Sequence, residues 1–228
     1  MTVCNSRLFS LALFAALAMI SPAYASAFQA ELVDAAGEPL GDAVITLRGL
    51  ADSPRAPLPV QMDQRSQQFQ PHVLAVRTGT SVSFPNSDDI RHQVYSFSPA
   101  KRFELRLYQG TPSEPVLFDK PGLVVLGCNI HDWMLGYIYV TDDPWFAVSD
   151  DDGRAVIADL PAGRYVVTLW HPGNPDLLPQ VAGEIQFDAR VSSQRFVLGS
   201  PGPAEQPAPP APSAFGEAFR KAAEDAAK

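Results

Sequence analysis

The sequence predicts an all-β protein built as two small β-sandwiches, and three observations predict it. Apolar and polar residues alternate with a period of two in short runs along most of the chain. Those runs are punctuated by 22 prolines. Helix-like periodicity is scarce before the last residues, although 46% of the chain is hydrophobic, enough for a globular core.

The N-terminal segment is read apart from the fold. Arg7 precedes an apolar run at 8–20, followed by Ser21-Pro22 and the small-x-small sequence Ala23-Tyr24-Ala25. That order is the n-region, h-region and cleavage site of a secretory signal peptide, and the run is shorter than the roughly 20 residues of a membrane span. Cys4 lies before the apolar run, which argues against lipidation. Residues 1–25 are therefore expected to leave, with the mature chain starting near Ser26 in the periplasm and not inserted in a membrane. The full chain carries a net charge of −8; losing Arg7 takes 17 basic residues to 16 against 25 acidic ones, a mature charge of −9. An acidic surface argues against nucleic acid and anionic membrane, and for basic partners.

In order along the mature chain, 28–33 and 43–47 read as two strands around a Gly37-Glu-Pro-Leu turn. Residues 51–60 hold three prolines and read as a connection. Alternation resumes from Phe69 as strands at 72–76 and, after a Gly79 turn, 81–84; further candidates are 94–97 and 103–107. The Pro121-Gly122 turn delivers an apolar run, 123–126, directly into Gly127-Cys128, and 137–140 closes this unit. A second unit spans 143–199, with strand candidates at 155–157, 165–170, 183–187 and 194–198. The acidic run 149–152 lacks the 12-residue ligand pattern of a calcium loop and reads as a solvated turn. Residues 200–212, rich in Pro and Ala, form a semi-rigid linker, and 215–228 reads as a charged amphipathic helix. The boundaries expected are 26–142 for the first unit, with 28–50 packing with the second, 143–199 for the second, and 200–228 for the tail.

The cysteine count is the most informative bulk property. Cys4 leaves with the leader, so the exported chain has one cysteine, Cys128. A lone thiol in an oxidising compartment is a reactive group, half of an intermolecular disulfide, or a metal ligand. The local sequence Cys128-Asn-Ile-His131-Asp-Trp-Met134 places a thiolate, an imidazole and a thioether on one short loop. With a second imidazole, this is the His₂Cys set with a weak axial Met that holds blue copper. His92, after Phe84-Pro-Asn-Ser-Asp-Asp-Ile-Arg, is the natural second imidazole. The expected metal ligands of one type 1 copper ion are therefore His92, Cys128, His131 and Met134. Taken singly, each has a plainer reading: a buried thiol, a core methionine, a hydrogen-bonded histidine. His72 and His171 are ordinary strand and strand-end histidines.

The segment from Phe118 to Met134 resembles the strand and ligand loop of the cupredoxin family, and its Cys-x-x-His-x-x-Met spacing is similar to the short loop of amicyanin. The stretch from Gly79 to His92 resembles the family's first-ligand region. The resemblance covers about 69–140 and implies a Greek-key β-sandwich, one bound copper and single-electron exchange with redox proteins. More loosely the chain is similar to cupredoxin-like proteins labelled for methylamine utilisation, which implies a quinoprotein dehydrogenase or a c-type cytochrome as neighbour. Three departures stand out: Gln93 replaces the Asn that usually ties the two ligand loops, Ile130 replaces a common proline, and Asp132 adds charge beside His131. The 152–167 segment, and 33–44 with it, resembles a carboxypeptidase-regulatory or transthyretin-like sandwich, an Ig-like architecture.

The expected function is an electron carrier and not an enzyme. Four histidines cannot furnish a trinuclear oxidase cluster, and no hydrolytic or phosphate-binding motif is present. The alternatives are a copper-binding protein for delivery, storage or sensing, and a structural envelope module with a vestigial site.

Overall fold

Burial along the strands follows the alternation of the sequence. In β1 (Ala27–Val33) the side chains of Phe28, Ala30 and Leu32 are buried, with part-exposed Gln29 and Glu31 between them. This computed structural model describes residues 27–49, 59–112, 114–188, 193–199, 201–202 and 210–211. The signal peptide expected at 1–25 and the tail helix expected at 215–228 lie outside them.

After β1 come β2 (Val44–Gly49), β3 (Val60–Gln61), β4 (Asp63–Arg65), β5 (Gln68–Gln70), β6 (Val73–Arg77), β7 (Thr80–Ser83), β8 (His92–Ser96) and β9 (Phe103–Tyr108). They are followed by β10 (Val116–Phe118), β11 (Gly122–Gly127), β12 (Leu135–Thr141), β13 (Trp145–Val148), β14 (Arg154–Ala158), β15 (Gly163–Trp170), β16 (Gln180–Phe187) and β17 (Ser193–Val197). The protein is all-β, and among the described residues no helix is long and apolar enough to cross a membrane.

The strands group into two sandwiches. A five-stranded sheet, β6-β12-β11-β8-β9, faces a three-stranded sheet, β10-β7-β3, over a core that includes Met62, Phe69, Phe84, Phe118, Leu126 and Ile138. The sheets β14-β1-β17 and β13-β2-β15-β16 enclose a second core around Phe28, Leu47, Tyr165 and Phe187. β1 is antiparallel to β14 and parallel to β17, and β2 is antiparallel to β13 and β15. Among the described residues, β1 and β2 thus pair only with strands later than Asp143, while β3–β12 run between them.

The two sandwiches meet along β12. Period-two alternation sends Ile138 and Val140 into the first core and turns Tyr137 and Tyr139 to the opposite face. There the two tyrosine rings pack on Trp170 of β15, each with its centroid 5.6 Å away, among Val44 and Val73. Asp42 Oδ2 lies 2.7 Å from His72 Nδ1 across the same boundary.

The sequence reading passes over β3–β5 and β10, which are two or three residues long; β4 and β5 are also largely polar. The acidic run at 149–152 forms a turn in which Asp150 Oδ1 accepts the Asp152 and Arg154 amides. Gly153 ends it at a φ of 73°, where a Cβ would lie 2.4 Å from the Leu32 carbonyl oxygen. Only glycine fits there.

Candidate metal centre

Three elements converge at one end of the first sandwich. The β11–β12 hairpin pairs up to Gly127 and Leu135, so residues 128–134 form the loop that closes it. The Met134 amide bonds to the His131 carbonyl at 2.9 Å and folds that loop back on itself. β11 touches β8 at Gly127 and Tyr95, which sets the start of the loop beside β8. β8 begins at His92, with an irregularity in its pairing to β9 between His92 and Val94.

The result brings together three of the four residues singled out as ligands. His92 Nδ1 and His131 Nδ1 lie 3.1 Å apart, and Cys128 Sγ lies 3.9 Å from His131 Nδ1. All three donor atoms are within 4.8 Å of one another. Met134 is buried and belongs to the same apolar cluster as Cys128. Metal–nitrogen bonds of about 2.0–2.1 Å and metal–sulfur bonds of about 2.3 Å put ligand pairs on one ion roughly 3.1–3.9 Å apart. The His92–His131 and Cys128–His131 separations fit that demand, and the donors are the soft sulfur and imidazole groups that suit copper.

The electrostatics favour neutral, open imidazole at His131. Burial lowers its pKa from the ordinary value, the neighbouring His92 lowers it further, and Asp88 opposes both. A neutral ring presents a lone pair at one of its two nitrogens. His131 is half-buried, whereas His92 and Cys128 are buried. Trp133 packs its ring 5.0 Å from that of His131.

Several residues that sequence reasoning missed hold the first loop. Asp88 Oδ2 accepts the His92 Nε2–H at 2.8 Å. Burial pushes the Asp88 carboxyl pKa up, but hydrogen bonds from the Gln67 amide, His92 and the Ser66 amide outweigh it, and the group ends below the usual range. Asn86 Nδ2 donates to the carbonyls of Ile90 and Tyr108, while its Oδ1 accepts the Asp88 amide. Tyr108 Oη donates to the Phe84 carbonyl at 2.7 Å and accepts from Gln64 Nε2. Burial raises the Tyr108 pKa above its ordinary value, and the nearby Cys128 adds to this against Gln64. An Asn after a Pro was the one local signal for the turn; nothing in the sequence separates Asp88 from Asp89.

Gln93 does not bridge the two ligand loops. Its Nε2 donates to Glu104 Oε1 at 2.8 Å and so ties β8 to β9. His72 and His171 lie elsewhere: His72 pairs with Asp42, and His171 Nε2 donates to the Gly41 carbonyl at 3.1 Å.

No family model matches the chain, and no curated protein matches it. Among solved structures it is similar to a copper-containing nitrite reductase from Thermus scotoductus SA-01, with 29% identity over 41% of this chain and a TM-score of 0.35. The match spans 25% of the reductase chain. It is also similar to a purple cupredoxin from Nitrosopumilus maritimus, with 20% identity over 36% of this chain and 99% of that one and a TM-score of 0.33. A reduced amicyanin mutant matches with 17% identity over 42% of this chain and 98% of that one, with a TM-score of 0.34.

Proposed function

We propose that this chain is a periplasmic type 1 copper protein that carries single electrons between redox proteins. One observation carries the reading: a converging His₂Cys donor set whose two deepest members, His92 and Cys128, are 0% and 3% exposed. Met134, at 2% exposure, supplies the thioether. In this reading Cys128 would supply the thiolate ligand, His92 and His131 the two imidazoles, and Met134 a weak thioether that would help set the potential. Bound copper supplies a one-electron Cu(II)/Cu(I) couple. The chain's part is to hold both states in one arrangement, exclude water with the core around Cys128, and leave the half-buried edge of His131 for electron exchange. That buried set favours retention of the ion over hand-off, so a carrier fits better than delivery, storage or sensing.

The exported location rests on the leader sequence, and the partner class, a quinoprotein dehydrogenase or c-type cytochrome, on the looser resemblance to cupredoxin-like proteins labelled for methylamine utilisation. The second sandwich is read as a carboxypeptidase-regulatory-like module and given no chemistry.

Voltammetry of the copper-loaded mature chain, with copper content measured before and after, tests the reading. A carrier cycles reversibly through many turns at one copper per chain. Loss of the ion on reduction, or transfer to a Cu(I) chelator at the rate of free exchange, contradicts it and favours delivery.

A further inference from the structure

We propose that Asp88 is a positioning residue that fixes the His92 imidazole and biases the site towards Cu(II); this rests on the reading of the site as a copper centre. His92 is wholly buried, and each of its ring nitrogens faces a protein group. Nδ1 faces His131 Nδ1, and Nε2 donates to Asp88 Oδ2. That bond leaves Nδ1 as the free donor and settles the rotation of the ring. A carboxylate behind a ligating imidazole also makes the ring a stronger donor.

The carboxylate is itself built in. The Ser66 amide donates to Asp88 Oδ1 at 2.6 Å and the Gln67 amide to Oδ2 at 2.8 Å. Those two residues form the turn between β4 and β5, at φ of 54° and 57°. Non-glycine residues rarely adopt that region, and here it aims two successive N–H groups at one carboxylate. The short β4–β5 hairpin thus acts as a clamp on Asp88, and Asn86 Oδ1 holds the Asp88 backbone from the other side. A fixed negative charge one ring away stabilises the more highly charged Cu(II) form over Cu(I). The charge, and not only the hydrogen bond, is what this arrangement adds.

The test compares the copper-loaded mature chain with Asp88→Asn, which keeps an acceptor oxygen but removes the charge, and with Asp89→Asn as a neighbouring charge control. Copper stoichiometry, the thiolate-to-copper band and the reduction potential are measured on each. The expected result is that Asp88→Asn keeps one copper and the band, while Cu(II) affinity falls relative to Cu(I) by on the order of 10-fold. That is a rise in potential of about 59 mV per tenfold; Asp89→Asn leaves the potential in place. A wild-type band with a potential that Asp88→Asn does not move, or moves no more than Asp89→Asn does, overturns the proposal alone. Absence of the band in the wild type overturns the copper reading and this proposal with it. Should Asp88→Asn fail to fold, the wild-type Cu(I) form decides by proton–nitrogen correlation. A protected His92 Nε2–H signal supports the proposal, and its absence overturns it.

Discussion

Burial gives the histidines of this chain different chemistry residue by residue. His171 is pushed below the ordinary imidazole range, first by burial, with the nearby His72 adding to it and the Gly41 carbonyl and Asp42 opposing. Its Nε2–H is committed to Gly41, and its Nδ1 accepts the Gly173 amide at 3.1 Å, so protonation at Nδ1 would break that second bond. The sign follows from linkage: the unfolded chain binds the proton more readily than the folded one, so stability rises with pH across this window. Its contribution is complete above the unfolded value of about 6.5 and is lost as pH falls through the lower folded value. The denaturation midpoint of the metal-free chain is therefore expected to drop between neutral pH and mildly acid pH, and to drop less in His171→Gln. Equal acid sensitivity in both proteins would refute this. At the same scale, Cys128, His131 and Met134 stood out as candidate donors because soft donors at regular spacing on one loop have a chemistry of their own. Asp88, Asn86 and Tyr108 were not, because ordinary polar residues gain a role only from what folding sets beside them.

Elements show the same division. β11 and β12 were legible because the Pro121-Gly122 turn and the apolar runs at 123–126 and 137–140 each point to a strand. β4 and β5 were hidden: their buried members, Gln64 and Phe69, are separated by polar residues, and the left-handed turn at Ser66 and Gln67 has no glycine or asparagine to announce it. Yet this hairpin is packed tightly against the ligand loop's root. A Cβ at Gly136 on β12 would lie 2.9 Å from the Cβ and ring of fully buried Phe69. Gly136→Ala is therefore expected to destabilise the chain by about 1–3 kcal/mol through overpacking. Equilibrium denaturation checks the value, and a change near zero would show that Phe69 moves aside freely.

For the whole molecule, β12, the second strand of the five-stranded sheet, joins site and scaffold. β12 pairs with β11, whose end carries Cys128, and presents Tyr137 and Tyr139 to fully buried Trp170 on the other sandwich. Burying both faces of one strand explains why 137–140 reads as a continuous apolar run. The assembly of β1 and β2 with strands beyond Asp143 depends on pairings between residues far apart in the chain, such as Ala27 with Ala158, and turn signals alone do not specify such partners. What the architecture achieves at the site is a preformed, largely buried meeting of two imidazoles and one thiol. The most direct test of that claim is the visible and paramagnetic spectrum of the mature protein with one equivalent of Cu(II), beside Cys128→Ser. An intense thiolate-to-copper band with a narrow hyperfine pattern, lost in the variant, is the predicted result; weak or absent copper binding with no such band would contradict the account.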